Sequence, residues 1–174
     1  MSHIFGLVKQ SGFMVSSLDT ALEYWTQTMG IGPFFRMDHL EMKSFTYRGS
    51  SSDVDVSIAL GNSGDMQIEL IQQHNNASSP YLDFLKTHGP GLQHYSVWTE
   101  TYDDDLRRLA KVGRSLMAEG LLGTGARFGY FDGGADGQPV MEISELTPPT
   151  VELFALIRHA AKDWDGKDPV RELT

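Results

Sequence analysis

The chain changes its apolar period in a repeating order. Over residues 8–15 small and large residues alternate around Ser11, Gly12, Phe13 and Met14, the two-residue period of a strand. Ser17 is then placed as an N-cap, Leu22, Trp25 and Met29 recur at helical spacing, and Gly30 supplies a stop, so one amphipathic helix follows. Three segments of strand character come next: residues 34–41, extendable to 47, then 54–60 and 66–72. The last two are joined by the hairpin signal Gly61-Asn62-Ser63-Gly64-Asp65. The first half therefore reads βαβββ. A polar stretch at 74–79 leads into a short helix opened by Ser79-Pro80, apolar at Tyr81, Phe84 and Leu85, and ended by Gly89-Pro90. The second half repeats the order, with a strand at 93–99, a helix at about 103–111, a strand at 114–119 and a hairpin of 126–131 with 140–143. Beyond Pro148-Pro149 a helix over 151–161 is apolar at Val151, Phe154, Ala155 and Ile157 and is expected on the outside of the second half. Residues 162–174 form a polar tail whose Trp164 can anchor to a groove or stay loosely ordered.

The repeat has a register. A shift of 84 places His94 on Gln10 and also brings Asp103, Leu106 and Leu109 onto Asp19, Leu22 and Trp25. A shift of 73 places Glu142 on Glu69, with Met141 on Ile68 and Ile143 on Leu70. Repeated units bury a core between copies. The expected architecture is α+β: two tandem βαβββ modules at 1–75 and 91–148, forming two curved mixed sheets around one metal-containing cavity. Residues 76–90 link them, and a C-terminal helix and tail at 149–174 complete a single structural domain.

Gln10, Glu69, His94 and Glu142 stand out within this pattern. Alternate residues of a strand share a face, and apolar neighbours flank both glutamates: Ile68 and Leu70 in one strand, Met141 and Ile143 in the other. Two carboxylates turned inward need a cation, and no Lys or Arg in these strands is placed to supply one. A divalent metal ion fits an imidazole, two carboxylates and an amide oxygen, a donor set open to zinc, nickel, cobalt, iron or manganese. Taken singly each residue reads as structural, and His94 alone would be a satisfied core histidine. The symmetry of their placement makes the case. His3, His39, His74, His88 and His159 gain no partner from spacing, and the glycine-rich turns at 61–64 and 133–137 lack the context of phosphate loops.

Composition narrows the partners. A net charge of −9 with no basic cluster disfavours nucleic acid and anionic membrane, and 40% hydrophobic residues with no long apolar run fit a soluble, cytoplasmic domain acting on a small molecule. With no cysteine, any metal must be held by nitrogen and oxygen.

The segments Gln10 to Asp19, Gly30 to Phe35, Gln67 to Ile71, Gly91 to His94, and Tyr130-Phe131-Asp132 leading to Met141-Glu142-Ile143 resemble the vicinal oxygen chelate superfamily of glyoxalases, methylmalonyl-CoA epimerases, extradiol dioxygenases and resistance proteins. The resemblance covers about residues 8–146. It implies metal ligands from the first and last strand of each module, carried over to Gln10, Glu69, His94 and Glu142, and a homodimer. The Gln, Glu, His, Glu set is similar to that of some glyoxalases, whereas the texture of residues 30–35 and 79–94 is closer to the epimerases. The activity implied is that of a metal-dependent lyase or isomerase abstracting a proton beside a carbonyl, with Glu142 as base and Glu69 its opposite number. Phe34, Phe35, Trp98, Tyr130 and Phe131 are expected to wall the substrate pocket. Two alternatives share the fold: a non-catalytic small-molecule binding protein, and an iron-dependent dioxygenase, against which Gln10 counts because that chemistry prefers two histidines.

Overall fold

The computed structural model describes residues 5–132 and 138–173. The turn expected at 133–137 and His3 lie outside the described residues. The first half contains β1 (Val8–Met14), α1 (Leu18–Glu23), β2 (Phe34–Met37), β3 (Met42–Tyr47), β4 (Ser50–Ser51), β5 (Val56–Ser63) and β6 (Met66–Gln73). After α2 (Pro80–His88) come β7 (Gly91–Thr99), α3 (Tyr102–Lys111), β8 (Leu116–Leu122), β9 (Arg127–Phe131) and β10 (Val140–Glu145). The chain then forms α4 (Pro148–Ala161) and β11 (Val170–Glu172). Among the described residues no helix is long and apolar enough to cross a membrane.

All strands join one sheet in the order β11-β2-β5-β6-β1-β7-β10-β9-β8-β3-β4. The halves meet edge to edge through antiparallel β1 and β7, so the two sheets inferred from the repeat are continuous. Their registers match. Gln10 pairs with Gln67 across parallel β1 and β6, and His94 pairs with Val140 across parallel β7 and β10, which sets Glu69 and Glu142 two residues beyond equivalent points. At the junction Gln10 lies opposite Ser96 and Gly12 opposite His94, as a local twofold axis between β1 and β7 requires.

The local chemistry explains the elements. The Ser17 hydroxyl caps α1 through the amide of Thr20. The helix continues as a wider π-helical turn at Tyr24–Thr28, which seats Trp25 against Phe13 and Phe34 at ring distances of 5.3 and 6.4 Å and leaves Met29 exposed. In α2, Ser79 caps the amide of Leu82 and Pro80 occupies the first turn.

Three segments depart from the sequence reading. The strand beginning at Phe34 stops at Met37 because His39 takes a left-handed φ of 48°, and β3 instead crosses to pair with β8 of the second half. Helix α4 lies not outside the second module but across the concave face against β5. Its buried side is Leu153, Phe154, Ile157 and Ala160, with Ile157 fully buried and Phe154 tilted against Trp98 with ring centroids 4.3 Å apart, whereas Val151 and Ala155 face solvent. Over its described residues, 162–173, the tail packs onto the first half. Trp164 covers Gly32, where a Cβ would sit 2.9 Å from the indole, and β11 adds to β2 in parallel.

Candidate metal centre

The inward side of the junction strands carries the four candidate residues. His94 projects from β7 and is fully buried, opposite Gly12, where a Cβ would fall 1.9 Å from the imidazole Cε1. Only glycine admits the ring. A one-residue irregularity in the pairing of β1 with β7 places Gln93 beside it, and Gln93 Oε1 accepts a hydrogen bond from His94 Nδ1 at 2.6 Å. That bond fixes Nδ1 as the protonated nitrogen of the neutral ring and leaves the Nε2 lone pair facing the carboxylates.

His94 Nε2 lies 2.8 Å from Glu142 Oε2 and 3.3 Å from Glu69 Oε2. The ligand atoms of the three residues all lie within 4.8 Å of one another, forming a group that can hold a metal ion. Ser144 Oγ donates to Glu142 Oε1 at 2.7 Å and is itself paired with Ser96 Oγ at 3.1 Å, which anchors that carboxylate. The Glu69 side chain retains 12% exposure, on the cavity side, against 6% for Glu142. Gln10 lines the same cavity, and its Nε2 donates to Gln67 Oε1 at 2.8 Å, which leaves its own Oε1 free.

These residues satisfy the requirements of a metal site on one point in particular. Among the described residues, seven buried side-chain polar atoms have no hydrogen-bond partner, and Gln10 Oε1, His94 Nε2 and Glu142 Oε2 are three of them. His94 Nε2 and Glu142 Oε2 approach closely without the angles of a hydrogen bond. Buried polar atoms are rarely left so, and three such atoms on three candidate ligands fit a shared cation. Electrostatics agree. Burial opposes a charge on His94, but Glu142 and Glu69 outweigh it and hold the metal-free imidazole at about 9. Burial, and then the charge of Glu142, push the Glu69 carboxyl up, although His94 pulls it the other way. The site attracts positive charge.

The centre forms part of the wall of a cavity of about 380 Å³. Of the five aromatics expected in its wall, Tyr130 is there. Phe34 packs beneath α1 with Leu18 and Leu22, Phe131 packs with Tyr102 of α3, Phe35 lies in the core beside the cavity, and Trp98 is covered by Phe154. Strand parity separates them: Phe34 and Phe131 are out of phase with the inward positions Phe35 and Tyr130. Sequence reasoning did not single out Gln67, Gln93, Ser144, Tyr81, Arg127 or Glu145. Period two could have found Gln67 and Ser144, which stand two residues from Glu69 and Glu142. Tyr81 reaches the cavity from α2 and donates to the Tyr130 hydroxyl at 3.1 Å, and burial raises both phenols well above their ordinary range.

Residues 9–130 match the family model of the glyoxalase/bleomycin resistance protein/dioxygenase superfamily, and the chain belongs to this family. Its structural neighbours include methylmalonyl-CoA epimerases. That of Mycobacterium tuberculosis superposes with a TM-score of 0.62 at 20% identity, over 87% of this chain and 95% of the other. A selenomethionine methylmalonyl-CoA epimerase gives 0.59 at 18% identity, over 84% and 99%. A Streptomyces coelicolor epimerase variant in complex with 2-nitronate-propionyl-CoA gives 0.56 at 15%, over 82% and 95%. At such identities the likeness is one of fold. No curated protein matches the chain by sequence.

Proposed function

We propose that the protein is a divalent-metal-dependent lyase or isomerase of the glyoxalase or epimerase type, which removes a proton beside a carbonyl of a small oxygenated substrate. The observation that carries this reading is the convergence of His94 Nε2, Glu69 Oε2 and Glu142 Oε2 without hydrogen-bonding geometry at the wall of the cavity. Gln10, Glu69, His94 and Glu142 would hold the ion, which supplies Lewis-acid polarisation of a carbonyl oxygen. All four residues belong to one chain, so the ligand set needs no second copy.

The remaining work falls to side chains. We assign the proton to Glu69 in place of Glu142, because Glu142 Oε1 is held by Ser144 whereas the Glu69 carboxylate is the more open to the cavity. Tyr130, which accepts from Tyr81, keeps its own O–H to donate to a second substrate oxygen. Met37, Ile58 and Phe154 exclude water from the reacting carbon.

The test is metal content together with proton exchange. Protein purified without chelator is expected to carry about one divalent ion per chain, the occupancy of a single four-donor site, and to exchange the α-proton of hydroxyketones in D2O, with exchange lost in Glu69→Gln. Protein that neither carries nor takes up a divalent ion overturns the reading.

A further inference from the structure

The cavity carries information on substrate charge beyond the reaction type. Its walls are largely hydrocarbon, built by Leu40, Val56 and Ile58 from the first half and by Leu122, Phe128 and Leu153 from the second half and α4. Among the described residues the one cation of the lining is Arg127, and the sequence of the residues outside that set contains no Lys or Arg. Arg127 is already spent. It binds Glu145 Oε2 at 2.9 Å and Oε1 at 2.7 Å, binds Asp103 at 2.8 and 3.3 Å, and lies over the Tyr102 ring at 4.4 Å. The lining carboxylates are Glu41, Glu69, Glu142 and Glu145. A divalent ion would offset two of them, and Arg127 offsets one more. The cavity stays negative within a chain of net charge −9.

Resting on the proton-abstraction reading above, we infer that the substrate is an uncharged, largely hydrocarbon compound bearing a carbonyl beside an oxygenated carbon, of the aryl or alicyclic hydroxyketone class, and not a carboxylate or a coenzyme A thioester. An anionic ligand meets like charge at the exposed Glu41, finds no free Lys or Arg among the described residues of the lining, and would face an ion whose charge Glu69 and Glu142 already offset; juxtaposed like charges reject a ligand strongly. Glu145 is the specificity-determining residue of the lining, since its carboxylate, together with Asp103, keeps Arg127 from serving an anion.

The experiment is a calorimetric titration of the zinc-loaded protein with benzoin, with 4-carboxybenzoin, whose charge is far from the chelating oxygens, and with methylmalonyl-CoA. Benzoin is expected to bind about tenfold or more tightly than either anion, the discrimination that like-charge contact supports. In Glu145→Gln the gap between benzoin and 4-carboxybenzoin is expected to narrow. Failure of benzoin to bind, tighter binding of either anion, or an unchanged gap in Glu145→Gln overturns the inference. NMR of the α-proton in D2O separates the two claims. Preferential benzoin binding without exchange upholds the ligand class and sinks the proton-abstraction reading, whereas exchange confined to methylmalonyl-CoA does the reverse.

Discussion

Gln93 Oε1 accepts from His94 Nδ1 at 2.6 Å, and this contact decides which side of the imidazole is left for a metal. Replacing Gln93 with Leu removes the acceptor and puts an apolar side chain of similar size in its place. Metal affinity is expected to fall about 10- to 100-fold, as it does when the partner of a ligating histidine is lost, with the far-ultraviolet circular dichroism unchanged. Calorimetric titration with zinc reads the change, and an affinity equal to wild type would remove Gln93 from the site.

A proton and a metal ion compete for the Nε2 lone pair of His94. In the metal-free protein the folded-state pKa is raised to about 9 from 6.5. His94 therefore contributes stability that is fully present below its unfolded pKa and is lost as pH rises through about 9. Metal-free protein should lose thermal stability from near-neutral pH upward, while zinc affinity should climb over the same window as the proton leaves. Opposite slopes in the two titrations are the signature, and parallel ones would contradict it.

Glu69→Gln separates metal binding from folding. Burial and the charge of Glu142 raise its carboxyl pKa, so the stability it contributes is lost as pH rises through the folded value. At pH 8 the metal-free variant should melt at or above the wild-type temperature, yet bind zinc weakly and exchange no α-proton. A variant that melts lower without metal would show that the Glu69 carboxylate is needed for the fold.

Gly12→Ala drives a methyl group into the imidazole. Overpacking of this kind costs about 1–3 kcal/mol, and here it also displaces a ligand. Both urea stability and metal affinity should drop together, whereas Gly30→Ala, whose Cβ would meet nothing within 4 Å but must adopt a φ of 64°, should lower stability alone.

Ile157 is the fully buried residue of α4. Ile157→Ala is expected to cost about 2–5 kcal/mol and to loosen the roof of the cavity, seen as weaker benzoin binding at unchanged zinc affinity. Loss of both affinities alike would mean that α4 supports the metal ligands as well.

The repeat was legible because it is written twice. Shifts of 84 and 73 found in the sequence reappear as matching strand registers, since each half must bury the same strand faces on the same partners. The places where the halves differ were not legible. Nothing in the period of residues 34–47 shows that His39 turns left-handed and sends β3 across to β8. For α4 the apolar set Val151, Phe154, Ala155 and Ile157 gave the helix and, in Phe154 and Ile157, half of its buried side, but not the surface it covers, because that depends on a concave face assembled from distant strands. The aromatic walls failed for a similar reason. Aromatic residues mark burial in general, and only strand parity tells the cavity side from the helix-covered side.

By the shift that relates Glu69 to Glu142, Tyr81 corresponds to Phe154, and both line the cavity. One half of the cup thus ends in a phenol and the other in a plain hydrocarbon ring. A perfectly duplicated cup would accept a ligand in two poses related by a half-turn, each presenting a different face to Glu69. The Tyr81–Phe154 mismatch makes those poses unequal in energy, so a scaffold that is nearly symmetric favours one of the two half-turn poses over the other.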